Sequence, residues 1–341
     1  MKKKKQDPSY DIPPFTLSAR AVSMAVDIAA LVERFSIRME QRDALRLRKI
    51  NKIKSIRSSL AIEGNTLSER QVTAILEGRR VVASLREIQE AKNAIATYDL
   101  YPSLNPFSVQ ALLKAHKVMM TALIGDAGGF RRGGVGVTDG ASVIHIAPPA
   151  SRVPSLMQNL FHWLEAAEDH LLIRSCVFHY EFEFIHPFSD GNGRVGRLWQ
   201  SLILGKFHSV FQHLPVEAMV LDNQRAYYSA LNQSTQNADC GVFIDFMLGE
   251  ILRALRVHAM LPIRRHGGIS GGINGGINDV LSYICKHPGC RANEISEALS
   301  IPLRSVQRHL GALKKKAAIE YRGAKKNGGY CALPRSYIPN S

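Results

Sequence analysis

From Leu17 to Gly64 apolar side chains recur at helical spacing with no proline, and this pattern predicts helix. It stops at Gly64-Asn65, a pair suited to the left-handed backbone that ends helices. Thr66 or Ser68 can cap the next helix, because Thr66/Glu69 and Ser68/Gln71 both have capping-box spacing. Further helical segments run to about Leu123. The texture then changes. Val135 and Val137, a Thr138-Asp139-Gly140 turn and Val143 to Ile146 read as a β-hairpin, closed by Pro148-Pro149. Helices resume near Val153. Gly267 to Asn278 runs GGIS-GGIN-GGIN, which a stable helix would not tolerate, and reads as a linker. Beyond it Asp279 to His287, Asn293 to Leu299 and Leu303 to Leu313 predict three short helices, with a tight Ser300-Ile301-Pro302 turn before the last. Val306, Leu310 and Leu313 would face inward, leaving Arg304, Ser305 and Arg308 outward. Ala318 to Arg322 and Tyr330 to Leu333, around a Gly/Lys turn, read as a two-stranded ribbon.

Composition narrows the class. With 45% hydrophobic and 21% charged residues over 341 positions, the chain can fill about two domain cores and is not disordered as a whole. No apolar run reaches the length of a membrane span, and MKKKKQDPSY has no apolar stretch behind its basic start, so neither a membrane anchor nor a secretory signal is expected. The five cysteines (Cys176, Cys240, Cys285, Cys290 and Cys331) are scattered, which fits small buried thiols in a reduced, cytoplasmic protein. The spacing of Cys285, His287, Cys290 and Cys331 matches no closed zinc site. A formal net charge of +15 fits anionic partners such as nucleotides or nucleic acid without choosing between them. Ile37 to Arg57 is especially basic, and a solvated helix face is the simpler account of it.

The chemistry concentrates in Phe182 to Ser201, FEFIHPFSDGNGRVGRLWQS. Gly191 and Gly193 flank Asn192, so backbone N–H groups there can line an anion nest. The residues after it look helical, which would put the nest on a helix N-terminus, where unpaired amides and the dipole favour phosphate. Arg194 and Arg197 share a face and can fork onto phosphate oxygens. Asp190 is placed to hold Mg²⁺ against the same phosphates. His186 offers a general base near neutral pH. Together these describe nucleotidyl transfer, in which a hydroxyl gives its proton to His186 and attacks the α-phosphorus while pyrophosphate leaves.

The string His186-Pro187-Phe188-Ser189-Asp190-Gly191-Asn192-Gly193-Arg194-Val195-Gly196-Arg197 resembles the Fic-family signature HxFx(D/E)GNGRxxR and matches it at every defined position. The resemblance implies a mainly α fold, an all-helical core carrying a β-hairpin flap, and AMP transfer from ATP to a Ser, Thr or Tyr hydroxyl of a target protein. His186 would be the base and Asp190 the Mg²⁺ ligand. Gly191, Asn192 and Gly193 would cradle phosphate, with Arg194 and Arg197 on the β- and γ-phosphates. Tyr227-Tyr228 resembles the adenine-side segment; two tyrosines packing a helical core is the other reading. The strand edge of Val143, Ile144, His145 and Ile146 can pair with an extended target segment and hold its hydroxyl over the α-phosphate.

Ser59 and Glu63 lie four apart on one helix face, with Glu63 on the last turn, where the dipole disfavours a carboxylate unless it finds a cation. Ser59 to Gly64 resembles the family's inhibitory motif (S/T)xxxE(G/N). It implies that Glu63 takes Arg197 away from the γ-phosphate, a built-in brake. The C-terminal segment resembles a winged helix-turn-helix domain with Leu303 to Leu313 as recognition helix. From residue 267 on, eleven Lys/Arg stand against four acids, suitable for phosphate contacts through Arg304, Ser305 and Arg308.

The expected organisation is a basic tail (1–15), an N-terminal helical region with the inhibitory helix (16–100), a catalytic core (101–262), a Gly-rich linker (263–278) and the winged-helix domain (279–341). The expected partners are a target protein, DNA through the C-terminal domain, and a second copy of the chain, with no membrane. Two alternatives stand beside AMP transfer: a DNA-binding regulator using the nucleotide core as a sensor, and removal of AMP from modified targets by the same site.

Overall fold

The computed structural model describes residues 11–39, 44–139, 142–260, 277–299, 301–315, 318–324 and 328–333. The tail to residue 10, most of the expected linker and the Gly140 turn lie outside them. Two compact units emerge, residues 1–263 and 264–341.

The first unit is helical. Its elements are α1 (Ala19–Met39), α2 (Ala44–Ile62), α3 (Glu69–Leu76), α4 (Leu85–Asp99), α5 (Val109–Met119), the hairpin β1 (Gly136–Asp139) and β2 (Ser142–Ile146), α6 (Val153–Ala166), α7 (Leu171–Ile185), α8 (Asn192–Phe207), α9 (Val216–Asp222), α10 (Gln224–Asn237) and α11 (Gly241–Met260). The helix expected over Leu17 to Gly64 is two helices, α1 and α2, whose junction at 40–43 is outside the described residues. One core joins Ile28 of α1, Ile56 and Leu60 of α2, Val177 of α7, Leu198 and Trp199 of α8 and Ile251 of α11, so residues on both sides of position 100 share it. α7 and α8 are the central pair and pack against each other. α7 buries side chains all round its axis, from Leu172 through Phe178 to Ile185, as a helix enclosed by others must.

Local chemistry sets the boundaries near the site. α2 ends where Gly64 takes φ +86° and the Asn65 N–H reaches back to the Leu60 carbonyl, a glycine-terminated helix end. Of the two cap candidates, Ser68 forms the capping box with Gln71. Thr66 instead donates its hydroxyl to the Glu87 carboxylate at 2.7 Å.

The hairpin is antiparallel with Gly136 opposite Ile146, Val137 opposite His145 and Thr138 opposite Val143. The register shifts between Val137 and Thr138, leaving Ile144 as the extra residue of a bulge. No third strand joins β2 among the described residues.

The second unit holds α12 (Ile277–Lys286), α13 (Ala292–Leu299), α14 (Leu303–Lys315), β3 (Ile319–Arg322) and β4 (Gly329–Ala332). Val280, Ile284, Ile295, Ile301, Val306, Leu310, Leu313 and Ile319 form its core. Arg304 and Arg308 are exposed, but Ser305 is half-buried rather than outward, because it lies in the first turn of α14 with its N–H on the Pro302 carbonyl. Cys290 is buried and Cys331 half-buried. Cys285, expected among the buried thiols, is exposed, next to the inward-facing Ile284.

Candidate active site

His186 sits where α7 stops. Its backbone is left-handed at φ 49°, with its N–H still on the Phe182 carbonyl. The imidazole Nδ1 lies 3.4 Å from the Glu183 carbonyl, a contact that requires the proton on Nδ1 and leaves Nε2 as the basic nitrogen. A strained backbone at a base held this way needs support, and Arg131 supplies it. Its buried guanidinium donates to the carbonyls of His186 (2.8 Å), Ile185 (3.3 Å) and Gly133 (2.8 Å), and to that of Pro148 on the far side of the hairpin. The Arg131 N–H also binds the Pro187 carbonyl at 2.9 Å. One cation thus ties the end of α7 to both roots of the hairpin.

The loop from Phe188 to Gly191 is held as tightly. Asn192 accepts the Phe188 N–H and donates to the Phe188 carbonyl, both at 2.9 Å, so its side chain clamps the loop and only its backbone faces the site. His116 accepts the Gly128 N–H at Nδ1 (2.9 Å), which fixes the proton on Nε2 for the Asp190 carbonyl at 3.0 Å, and its ring stacks on Phe188. Burial lowers its pKa, so it stays neutral. Gly191 has φ +84°, and a Cβ there would lie 2.6 Å from the Met120 sulfur; only glycine fits.

α8 starts directly after this turn, so its first-turn amides, without intrahelical acceptors, open toward the loop. Asp190 and Arg194 pair at 3.1 Å, and Arg86 of α4 approaches the other Asp190 oxygen at 3.5 Å. Glu90, also on α4, faces Arg86 at 3.3 Å, Arg194 at 3.8 Å and the Asn65 amide at 2.9 Å. Arg194 Nε is a buried donor with no hydrogen-bond partner among the described residues. A buried guanidinium left one bond short is suited to receiving an anion.

Glu63 meets Arg197 at 2.7 Å. Arg197 Nη2 also donates to the Ser59 carbonyl at 3.0 Å and Nε to its hydroxyl at 3.3 Å. Burial opposes this charge, yet the Glu63 carboxylate and other nearby acids more than offset it and raise the Arg197 pKa. A Cβ on Gly193 would come within 2.5 Å of the Glu63 carboxylate, so that carboxylate lies directly over the first turn of α8.

The two tyrosines part company. Tyr227 is buried, with its hydroxyl 3.0 Å from His179 Nε2, while His179 Nδ1 is 2.6 Å from Gln200. Burial holds His179 neutral, pulling its pKa to about 4. Tyr228 is half-buried, and Glu63 is among the charges acting on it. Glu183 has one buried oxygen without a hydrogen-bond partner among the described residues, and burial pushes its pKa up to about 7. In the hairpin, the backbone of Val143, Ile144, His145 and Ile146 forms β2, while their side chains are outside the described residues.

Asp190 lies beside two arginines and helix amides, with Glu90 on the same arginines, and the described residues hold no group of three or more His, Cys, Asp or Glu that could hold a metal ion by itself. That donor set fits a magnesium ion that arrives with phosphates and takes most of its ligands from them and from water. Arg131, His116, Arg86 and Glu90 escaped the sequence reading. Their partners are carbonyls, or side chains many residues away, and no spacing rule encodes those.

The left-handed end of α7 at His186, the turn through Asp190 and the open first-turn amides of α8, with Arg194 and Arg197 on that helix, form one contiguous candidate site. A family model for the Fic/DOC family matches residues 106–204. The crystal structure of a Fic family protein from Desulfovibrio desulfuricans G20 is 37% identical, superposes with a TM-score of 0.71, and is covered over 99% of its length by 95% of this chain. Fic-1 of C. elegans shares the fold at a TM-score of 0.57 and 22% identity, covering 70% of this chain and 72% of that one. The protein adenylyltransferase Fic of Drosophila mojavensis is 30% identical over 246 residues, 65% of this chain and 46% of the relative. The chain spans about half the length of the curated relatives it matches. It belongs to the Fic family.

Proposed function

We propose that the protein is an adenylyltransferase that moves AMP from ATP to a Ser, Thr or Tyr hydroxyl of a target protein, and that Glu63 restrains it. What supports the reading most is that His186 ends α7 and α8 opens six residues later behind the left-handed Gly191, with Asp190, Arg194 and Arg197 on that turn and helix. His186 Nε2 takes the proton of the attacking hydroxyl, whose oxygen bonds to the α-phosphorus as the α–β bridging bond breaks and pyrophosphate departs. Arg194, with its spare Nε, and the amides of Asn192 and Gly193 hold phosphate oxygens. Arg197 holds the terminal phosphate once Glu63 releases it. Asp190 would hold Mg²⁺, which supplies charge neutralisation on the phosphates. Tyr228, not the buried Tyr227, is the tyrosine that an adenine can meet.

The test is α-labelled ATP with Mg²⁺ on wild type, Glu63→Gly and Glu63→Gly/His186→Ala, with self and lysate proteins resolved on a gel. Label that appears with Glu63→Gly and vanishes in the double variant is the expected result. No protein label in any lane, from a chain that binds ATP, would remove transfer and leave a nucleotide sensor.

The C-terminal unit supports a second, separate role. α14 carries exposed Arg304, Arg308, Lys314 and Lys315 and no acid, the charge pattern of a helix that meets a phosphate backbone. We infer duplex DNA as its partner. Binding of the full chain to a DNA duplex that weakens on Arg304→Ala/Arg308→Ala and with added salt is expected; salt-independent or absent binding would refute it.

A further inference from the structure

The segment between α3 and α4 presents an unusual surface at the mouth of the site. Val82 is 97% exposed and Leu85 87%, the two highest values among the exposed large hydrophobic side chains described. Leu85, the first residue of α4, follows Val82 by three positions, so both belong to one short exposed stretch. Val81 and Ala83, alternating with Val82, are half-buried against the core. The segment is therefore extended, with one row of side chains anchored and the other turned out.

It is also rigid. The Val82 carbonyl accepts the Gln71 amide at 3.2 Å, and Ser84 caps α4 through the Glu87 N–H at 3.2 Å. A surface fixed in this way loses little further entropy when it is covered. Of its three arginines, Arg79 pairs with Glu77 and Arg86 with Glu90 and Asp190, while Arg80 is exposed and makes no ion pair among the described residues, leaving one uncompensated positive charge. Arg86 reaches Asp190 at 3.5 Å, so this surface is continuous with the residues proposed to hold metal and phosphate.

We propose that residues 79–86 are a docking surface for the target protein, taking a segment that carries acidic and apolar residues near the hydroxyl to be modified. The proposal rests on the adenylyl-transfer reading and adds the chemistry of the target. Val82 and Leu85 offer apolar area that no other described residue covers, and exposed apolar side chains gathered at a site mouth mark contact surfaces. Arg80, which has no ion pair among the described residues, selects an acid beside them. Because Arg86 lies at the junction with Asp190, a segment bound here is held next to the reacting centre.

The experiment uses the full chain carrying Glu63→Gly and two pools of short peptides with a central Ser, Thr or Tyr. One pool is flanked by Asp, Glu and Leu, the other by Lys and Leu. The acidic pool should be labelled at least about fivefold more efficiently, the size expected of one or two surface charge pairs, since both pools carry Leu. Adding Arg80→Glu/Val82→Ser/Leu85→Ser should abolish that preference by raising the peptide KM while leaving the ATP KM unchanged. Arg86 is left intact in this variant because it touches Asp190. Equal labelling of both pools, an unchanged preference in the triple variant, or a preference lost through a weaker ATP KM would each overturn the proposal. So would a triple variant that changes the oligomeric state by sedimentation, because the surface would then belong to a contact between copies. A chain that labels neither itself, lysate proteins nor peptides would instead refute the transfer reading.

Discussion

Replacing Glu63 tests the link between the ion pair and the phosphates most directly. Arg197 is 3% exposed and Glu63 33%, with 2.7 Å between them. A charge-assisted hydrogen bond is worth about 1.5–3 kcal/mol net. The partial exposure of Glu63 places this one toward the lower end, about 1.5–2 kcal/mol. If Arg197 must leave Glu63 to hold a terminal phosphate, that free energy is subtracted from ATP binding in the wild type. Glu63→Gly should then tighten ATP binding by about 10–30-fold and raise AMP transfer by at least as much. Glu63→Gln keeps the shape and one hydrogen bond but loses the charge, so it should fall between. The unliganded variant should also be less stable, by about 1–2 kcal/mol, because Arg197 keeps its two Ser59 contacts but loses its counter-charge. Calorimetric titration of ATP, urea unfolding and α-label transfer measure the three effects. Wild-type ATP affinity and transfer in Glu63→Gly would refute the reasoning. So would a gain that survives Arg197→Ala in the same chain, since the released cation is its stated cause.

Other substitutions probe the scaffold. Arg131→Ala should cost about 3 kcal/mol in urea unfolding, because it strips a donor from several carbonyls at once, and it should depress transfer. Arg131→Lys should not restore either, since an ammonium cannot span the end of α7 and both hairpin roots. For Glu183 the folded pKa of about 7 lies above the ordinary 4.5, so its contribution is fully present below about pH 4.5 and is lost as pH rises through 7. Glu183→Gln should therefore be more stable than wild type at pH 8, by up to about 3 kcal/mol, with the difference closing at pH 5. Equal stability of the two chains at both values would contradict the assignment. Asp190→Asn should remove the dependence of ATP binding on Mg²⁺ concentration, followed by titration with and without the ion. An unaltered Mg²⁺ dependence would show that the ion is held elsewhere.

The local features were legible because short-range geometry writes them into the chain. The turn from His186 to Arg197 is one uninterrupted string, and its Gly191 at φ +84° is followed at once by a helix start. The hairpin, the end of α2 at Gly64 and the inward stripe of Val306, Leu310 and Leu313 follow from spacing in the same way. Between the two cap candidates local chemistry was neutral, and Glu87, brought close by the packing of α4, drew Thr66 away and left Ser68 as the cap. In the same way, sequence marked Tyr227 and Tyr228 alike, and only packing against His179 and Phe243 separated them.

By itself, then, the sequence determined the helical class, the hairpin and the glycine-led turn before α8, since each depends on residues within a few positions of one another. Tertiary structure decided which residues act on that loop from outside. The contact of Glu63 with Arg197 across 134 positions was expected only through the resemblance of Ser59 to Gly64 to a family motif, and Arg131 reaching His186 across 55 and Arg86 reaching Asp190 across 104 were not expected at all. Such contacts depend on how helices pack, and a charge or a carbonyl at the far end leaves no periodic trace in the sequence that reaches it.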